Sequence, residues 1–566
     1  CHAQKTKCTG EQPCRSCVRS GRGAECTFPV RARKIIVLER SLYTAFILLL
    51  HQGMVNSTTG EHPANDISAE DAADAEASNP LLEQRVLAHD INVSLGAVYV
   101  GGAACTAFAT RLGACARGPQ TGHSGEAAPY AVPVYKHPTL SRRLQEQYIM
   151  PSRAYANTLI QVVMRFIGAD YHLIRRKSYM EKVDLLYDGS EQSSSLSLCR
   201  FFALLALGEL WLKKTGAIED GEKTVPGTKF FLQAVSLFQE QYEEPSIEYI
   251  ETLLVLCFYS FALNRKNTAF VYAGLALRLS QTMGLHRNIT YGPNTSAADI
   301  ENRRRVWWTV YIFDRLVSSK LGHPIISDGE IDAPLPSYDN LSEEDKDDFF
   351  DPMQLIANIK LCRITGSILT LIYGGPARKA PGDFIRNVHT ILNNLKQLDA
   401  ELPVELRLDH TKFPAYGSRS VASLRLHFNQ NLILTTRPVL LHVLNYNLKR
   451  LRPAANIQVK TLSPMTIALS EACIYAARAS ANLLEQLWIS GNISTFGYFD
   501  AHYTFSATVV LMISDALRPN NEDRDAIALF TALLQSMVDD GNLPAREVND
   551  RIACLRKDFA SLKMSG

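Results

Sequence analysis

Residues 274–288 read GLALRLSQTMGLHRN, and residues 301–336 read ENRRRVWWTVYIFDRLVSSKLGHPIISDGEIDAPLP. Around the first stretch, apolar residues recur every three or four positions, which is the spacing of one face of a helix. Gly284 predicts the end of that helix, because a left-handed conformation costs glycine little. The second stretch predicts another helix with a matching stripe. The two stripes are Tyr272, Leu275, Ala276, Leu279 and Met283, and Trp307, Val310, Tyr311, Val317 and Leu321.

The polar residues within these two stretches are interpreted as structural. Asp314 falls on the second stripe, and a buried carboxylate needs a partner, for which Arg278 and Arg315 are the two candidates. Asp314→Ala is therefore expected to destabilise the fold. His286 is expected to be a capping or core histidine rather than a metal ligand or a base. A rigid exit loop is predicted from three prolines, Pro324, Pro334 and Pro336.

Helical periodicity continues on both sides of these stretches and covers more than 400 residues from about position 140. Alternating, strand-like runs are few, and no repeat of fixed period is evident, so the body is predicted to be all-α, a bundle or a stack of helices. Pro151 and Pro438 are expected to kink or split the helices that contain them. Helices are predicted over residues 140–167, 196–214, 247–263, 268–283, 298–321, 352–373, 383–398, 420–448, 464–487, 499–517 and 526–538.

The first 26 residues have a different character, since they hold five of the twelve cysteines. Their spacing is Cys1-x6-Cys8-x5-Cys14-x2-Cys17-x8-Cys26, on a segment too polar to build an apolar core. Such a segment can be held together by metal–thiolate bonds. A disulfide knot or an unrelated zinc ribbon would also be rich in cysteine. The other seven cysteines are scattered singly, several in apolar runs, which is typical of reduced intracellular cysteines.

The cysteine ladder resembles the DNA-binding domain of fungal binuclear zinc cluster transcription factors, the Zn(2)-C6 family. The family pattern has six cysteines and two zinc ions, and the last five are present here. The resemblance places a further cysteine three positions before Cys1, so the N-terminus is expected to be incomplete and the chain as written is expected to bind zinc poorly. It makes Cys14 one of the two bridging ligands.

The residues between the cysteines support the same resemblance. The family pattern C-R-x-x-K-x-K-C is matched at Lys5 and Lys7, with His2 at the arginine position, and Pro13 matches the loop proline. By resemblance, Lys5 reads base edges in the major groove, typically of a CGG triplet, because lysine donors suit the O6 and N7 acceptors of guanine. Phosphate contacts are expected from Lys7, Arg15, Arg19 and Arg22.

The two central stretches resemble the fungal-specific transcription factor domain, the middle homology region of the same family. The match is dense over about 60 residues, with mild departures at Ser280, Met283, His323 and Glu330. The resemblance marks as structural motif residues Arg278, Gly284, His286, Arg304, Trp307, Trp308, Asp314, Arg315, Gly322, Pro324, Asp332 and Pro336.

The charge distribution separates a basic head from the rest of the chain. The net charge is +2, yet residues 1–34 carry eight Lys or Arg against two Glu. A basic head on a near-neutral body is typical of a nucleic-acid reader with a large regulatory part. Residues 51–84 hold seven acids and no Lys or Arg, which predicts a disordered linker.

The region between head and body is predicted to be mostly linker. Residues 35–50 fit two heptads of a short coiled coil, with an apolar segment packed on the body as the alternative. The sequence GAACTAFATRLGACA predicts one short helix. The resulting domains are 1–34, the zinc cluster; 35–139, the linker, largely disordered; 140–450, the regulatory domain; and 451–566, a helical extension of the same body.

Together these observations predict a zinc-dependent, sequence-specific DNA-binding transcription factor for RNA polymerase II genes, located in the nucleus. By resemblance it binds double-stranded DNA as a homodimer and responds to transcriptional co-regulators or to a small-molecule effector. The phosphate-binding, zinc-protease, serine-hydrolase and Rossmann motifs are absent, so no enzyme is predicted. The apolar run Ser41–Leu50 is too short to span a bilayer, so no membrane partner is predicted. The alternative is a regulatory, interaction or ligand-sensing protein whose truncated zinc cluster does not function.

Overall fold

The computed structural model describes residues 86–88, 98–100, 105–117, 148–189, 194–213, 215–216, 218–219, 222–238, 245–288, 295–374, 382–407, 419–451 and 461–564. All of them belong to one compact unit, Asp66–Gly566. The predicted zinc cluster, the predicted coiled coil and the acidic part of the predicted linker lie outside the described residues.

Helices dominate the described residues, as the all-α prediction requires, so that prediction is confirmed. They are α1 (Cys105–Arg117), α2 (Arg153–Ile167), α3 (Arg176–Asp188), α4 (Ser195–Leu212), α5 (Thr228–Leu237), α6 (Ile247–Ala262), α7 (Lys266–Thr282), α8 (Ala297–Leu321), α9 (Glu343–Lys346), α10 (Pro352–Leu371), α11 (Asp383–Glu401), α12 (Arg419–Leu451), α13 (Pro464–Ile489), α14 (Tyr498–Leu517), α15 (Asn521–Asp540) and α16 (Leu543–Met564). Two small antiparallel ribbons pair β1 (Val86–Ala88) with β2 (Val98–Val100) and β3 (Ile218–Glu219) with β4 (Glu222–Lys223). Two short 3-10 turns, Asp328–Glu330 and Val404–Leu406, lie in the connections.

Serine caps begin many of the helices. The side chain of Ser296, for example, accepts a hydrogen bond from the Asp299 N–H at the start of α8. This bond satisfies one of the N–H groups that a helix leaves unpaired in its first turn. In the same way, a serine side chain accepts a hydrogen bond from the N–H three residues later at Ser152, Ser194, Ser246 and Ser463.

The core is centred on α4, which is apolar on nearly all sides. Fifteen of its residues are buried, from Leu196 to Trp211. By length and composition this helix could cross a membrane, but 72% of it is buried by the surrounding protein. It contacts α2, α5 and α6, and the helices that follow pack largely on their neighbours in sequence, α6 on α7 and α7 on α8. Its apolar composition is therefore that of a central core helix.

Among the described residues of the predicted linker, 35–139, one segment is a helix, and it is packed into the body. The short helix predicted for this region is present as α1, and it contacts α16. Leu112 is fully buried, and the Cys105 Sγ lies 3.3 Å from Arg437 Nη1 on α12. Residues 105–117 therefore pack against the helical body through the apolar face of α1.

Pro438 lies inside α12, and the helix continues through it. The helix is therefore not split at Pro438, and the alternative part of the expectation, a kink, stays a prediction. A proline has no N–H, so the carbonyl four residues earlier loses its donor. That carbonyl belongs to Leu434, and it accepts a hydrogen bond of 2.7 Å from the Tyr373 hydroxyl. Pro151 instead precedes α2, whose cap is Ser152, so it marks a helix start and not a kink.

Four helices were not predicted from periodicity: α3, α5, the four-residue α9 and α16. In α3, only Tyr179 and Val183 are buried, so it lacks a continuous apolar stripe. α5 has 10 residues, too few for the pattern to be distinguished from a loop. α16 carries many charged residues, and its buried positions include Ala545 and Ile552.

Candidate functional site

The central motif begins at the turn between α7 and α8. Gly284 has φ 67°, the left-handed region that glycine adopts readily, and the Leu285 N–H returns to the Ser280 carbonyl. The carbonyl of His286, the residue after Leu285, accepts hydrogen bonds from the N–H groups of Asp332 and Ala333, at 3.2 and 3.1 Å. The exit loop after α8 is therefore joined by its backbone to the turn after α7.

Two predicted motif residues complete this junction. The Asp332 carboxylate accepts a hydrogen bond of 2.9 Å from the Asn288 N–H. The His286 ring lies 5.6 Å from the Trp307 ring, and its buried Nδ1 has no hydrogen-bond partner among the described residues. The described contacts of His286 are therefore those of its backbone carbonyl and of its ring with Trp307, and its role as a capping or core histidine stays a prediction.

The start of α8 carries a buried carboxylate, that of Glu301, which joins α8 to the exit loop. Glu301 accepts hydrogen bonds from Arg304 Nη1 and Arg305 Nε, both at 2.7 Å, and from the Ser337 N–H at 3.0 Å. Burial raises the pKa of Glu301, and the two guanidinium groups oppose that shift. Arg305 also donates to the Phe350 carbonyl at 2.5 Å. Sequence reasoning named Arg304 but missed Glu301 and Arg305, although their i,i+4 spacing was a signal.

The two tryptophans of the motif are fully buried. Trp308 Nε1 donates a hydrogen bond of 2.7 Å to the Pro334 carbonyl, which ties the exit loop to the middle of α8. Trp307 packs against His286 on the other side. Pro336 is buried as well, whereas Pro334 is exposed.

Asp314 is paired with Arg315 and not with Arg278. Arg315 Nη1 lies 2.9 Å from Asp314 Oδ2, and Arg315 Nη2 donates to the Ile326 carbonyl at 2.9 Å and also contacts Asp328. Arg278 is exposed and donates to Gln281 within its own helix. Burial raises the pKa of Asp314, and the charge of Arg315 counteracts it.

The end of α8 is closed by Gly322, with φ 72°. The His323 N–H returns to the Ser318 carbonyl at 3.0 Å, and the Ser318 hydroxyl reaches the Pro324 carbonyl at 3.5 Å. These contacts direct the chain back along α8. Most of the motif residues thus connect α7, α8 and the exit loop to one another, with Arg278 as an exception. The structural role assigned to the motif stays a prediction.

A polar cluster that sequence reasoning missed lies in a cavity of about 60 Å³. Asp170, Arg419 and Asp500 line it together with aromatic rings. They come from the end of α2, the start of α12 and the start of α14. The three residues lie in segments that are far apart in the sequence, so no local pattern could have indicated that they converge.

The predicted metal and DNA-binding residues lie outside the described residues. This holds for Cys1, Cys8, Cys14, Cys17 and Cys26, and for Lys5, Lys7, Arg15, Arg19 and Arg22. Within the described ranges, no group of three or more His, Cys, Asp or Glu side chains could hold a metal ion.

Two family models match the chain. Residues 1–35 match the fungal Zn(2)-Cys(6) binuclear cluster domain, and residues 164–406 match the fungal specific transcription factor domain. The first of these holds two zinc ions, and its name specifies six cysteines, of which Cys1 to Cys26 supply five. Thiolates are the donors that structural zinc prefers, so the residues present fit the metal. The predicted domain boundaries at 34, 139 and 450 stay predictions.

Curated relatives carry regulatory names. The chain is 26% identical over 404 residues to an uncharacterized transcriptional regulatory protein of Schizosaccharomyces pombe, covering 70% of this chain and 49% of that protein. It is 24% identical over 425 residues to activator of stress genes 1 of Saccharomyces cerevisiae, covering 72% and 42%. It is 22% identical over 399 residues to the thiamine repressible genes regulatory protein of S. pombe, covering 69% and 49%. The chain thus spans half or less of the length of these relatives, and their names are those of regulators, not enzymes.

Proposed function

Because this chain joins the fungal Zn(2)-Cys(6) binuclear cluster domain to the fungal specific transcription factor domain, we propose that it is a zinc-dependent, sequence-specific DNA-binding regulator of RNA polymerase II genes. The presence of both domains in one chain is the observation that supports this. The names of the relatives are in keeping with it. Such a regulator acts in the nucleus.

The N-terminal segment would read DNA through a fold that zinc supplies. The cysteines from Cys1 to Cys26 would hold the metal, since the segment has no apolar core of its own. Lys5 donates to guanine O6 and N7 in the major groove and selects CGG-type triplets. Lys7, Arg15, Arg19 and Arg22 neutralise phosphates, which contributes affinity and register rather than sequence choice. The regulator binds as a homodimer, and its helical body contacts co-regulators.

Selection from a random DNA pool tests this proposal. The full chain, preceded by a cysteine and two residues to complete the six-cysteine pattern, should enrich CGG triplets when zinc is present and lose this enrichment with a chelator. Lys5→Gln should lower the preference for the triplet, at a cost of about 1–3 kcal/mol. Lys7→Gln should weaken binding to all sequences alike and reduce its salt dependence.

The alternative function is a regulatory or interaction protein that does not read DNA. The match of residues 164–406 to the fungal specific transcription factor domain, which lies outside the cysteine-rich segment, is the observation that favours it. If two zinc ions bind to the completed chain and no sequence is enriched, the proposal of a DNA reader is wrong and the body is the functional part.

A further inference from the structure

The polar cavity lies where seven helices and two connections meet. Its wall comes from α2, α4, α6, α8, α10, α12 and α14, from the residues that follow α2, and from the connection between α13 and α14. The charged lining residues are Asp170, Arg419 and Asp500. Its volume of about 60 Å³ corresponds to roughly four to six water-sized volumes of about 10–15 Å³ each. A cavity of this volume is in the size range of a small ligand such as glycine or alanine.

Asp170 is a buried carboxylate without a cation in hydrogen-bond range. It is 3% exposed, and its Oδ1 accepts hydrogen bonds from the amides of Gln354 at 2.8 Å and Asn358 at 3.4 Å. No described Lys, Arg or His forms an ion pair with it, although Arg419 acts on it through space. A buried carboxylate is costly unless a positive group is near. Asp170 is therefore suited to receive an ammonium group.

Arg419 is poised for an anion in the same cavity. Its Nη2 is paired with Asp500 at 2.5 Å, and Asp500 is held in turn by the Ser494 N–H at 2.8 Å. Its other terminal nitrogen, Nη1, is buried and has no acceptor among the described residues. A guanidinium donates most strongly to a carboxylate. The side chain of Arg419 is thus fixed by one carboxylate and has a donor left for a second.

Aromatic rings complete the cavity. Phe166 and Trp211 are stacked at 5.7 Å, and Trp211 and Phe258 meet edge to face at 5.6 Å. Rings favour both an apolar group and a nearby cation. His427 adds no charge, because burial lowers its pKa to about 3 and it remains neutral.

We propose that this cavity binds a small zwitterionic amino acid, with its ammonium group on Asp170, its carboxylate on Arg419 Nη1 and its side chain against the aromatic rings. A cation alone would leave Arg419 Nη1 without an acceptor, and an anion alone would leave Asp170 without a partner. A regulatory purpose for this ligand rests on the proposed function. Binding of the ligand can be measured whether or not the chain reads DNA.

Calorimetric titration of the full chain tests the proposal with three probes of matched size: alanine, ethylammonium and propionate. Alanine should bind, and each of the two half-ligands should bind about tenfold more weakly or worse, because each loses one charge-assisted hydrogen bond. Absence of binding by alanine, or equal binding by ethylammonium or by propionate, would overturn the proposal.

Two variants and a matched control locate the site. Asp170→Asn keeps the shape of the side chain and should weaken alanine binding about tenfold or more. Ser423→Leu, which fills the cavity from α12, should do the same. Asp184→Asn removes a carboxylate from an exposed ion pair with Arg153 and should leave binding unchanged. Unchanged alanine binding by Asp170→Asn contradicts the assignment. Because these titrations contain no DNA, their outcome is independent of the DNA selection.

Discussion

Arg315 is the residue on which the second half of the central motif depends. Its side chain is fully buried, stacks on the Tyr311 ring at 3.6 Å, and reaches Asp314, Asp328 and the Ile326 carbonyl. The guanidinium therefore fastens the exit loop to α8. A buried arginine with this many partners is strongly destabilising to remove, because the carboxylates it serves are left uncompensated.

Replacement of the two candidate partners of Asp314 separates their roles. Arg315→Met should lower the free energy of unfolding by about 3–5 kcal/mol, and Asp314→Ala by about 1–3 kcal/mol, since Arg315 keeps its other acceptors. The control Arg278→Met should change it by less than about 0.5 kcal/mol, because Arg278 is exposed. Urea denaturation measures all three. A cost for Arg278→Met equal to that of Arg315→Met would contradict the pairing.

Asp170 is expected to lower stability at neutral pH. Burial raises its pKa to about 7, against 3.8 in the unfolded chain, with Gln354, Arg419 and Asn358 opposing the shift. Tyr171, Tyr503 and Asp500 also face this region. Between these two pH values the carboxyl of the unfolded chain has released its proton, whereas that of the folded chain keeps it. The free energy of unfolding therefore falls as pH rises from about 3.8 to about 7.

The variant Asp170→Asn removes this dependence. It should be more stable than the parent, by a margin that grows by about 2 kcal/mol between pH 5 and pH 8. Denaturant unfolding at both pH values measures the margin, and Asp184→Asn serves as the control because Asp184 lies on the surface. A margin that does not change with pH would show that Asp170 is ionised throughout. A residue that reduces stability is often kept for function.

At the level of the helix pair, α2 and α4 approach closely at Gly208. A Cβ at this position would lie 2.6 Å from the Leu159 Cβ and 2.5 Å from the Leu159 carbonyl oxygen. Real side chains do not tolerate such distances, so one helix would have to move. The glycine is present to allow close packing, not to break α4.

Two glycine-to-alanine changes within helices should therefore have opposite effects. Gly208→Ala should destabilise by about 1–3 kcal/mol through overpacking. Gly274→Ala, in α7, meets nothing within 4 Å and should stabilise by about 0.5–1 kcal/mol through its higher helix propensity. Thermal unfolding measures both. The same sign for the two variants would show that propensity, not packing, controls position 208.

The continuity of α12 depends on a side chain from the segment after α10. Tyr373 supplies the donor that Pro438 withholds from the Leu434 carbonyl, and its oxygen also accepts from Arg437 Nε at 2.9 Å. Burial raises the pKa of Tyr373 to about 12, so the hydroxyl keeps its proton. One phenol thereby satisfies two buried groups of the helix.

Tyr373→Phe should cost about 1–3 kcal/mol, because it leaves the buried Leu434 carbonyl without a donor. Tyr148→Phe is the control, since Tyr148 is 44% exposed, and it should cost less than about 0.5 kcal/mol. Urea denaturation measures both variants. Equal, small costs would mean that α12 tolerates the unpaired carbonyl.

On the scale of the whole molecule, metal dependence should be confined to the N-terminal segment. The cysteine ladder occupies the first 26 residues, and the described part of the body holds no metal-binding group. Removal of zinc with a chelator should therefore leave the helical circular dichroism signal and the melting temperature of the body unchanged. The same treatment should abolish binding of the completed chain to DNA. A large loss of helical signal would place a structural metal within the body.

Local patterns in the sequence determined much of this molecule. The all-α body, the end of α7 at Gly284 and most helix positions follow from apolar spacing and from glycine, which act over a few residues. The cysteine spacing likewise predicted the zinc cluster domain that the family model matches. These features depend on neighbours in sequence, so they can be recognised before the chain is folded.

Only the tertiary structure decided which distant groups meet. It paired Asp314 with Arg315 in preference to Arg278, placed Tyr373 where Pro438 leaves a carbonyl free, and packed α1 into the body. It also brought Asp170 and Arg419 into one cavity, although 249 positions separate them in numbering from 170 to 419. Such contacts arise from the packing of several helices, and no periodicity within a single segment carries that information.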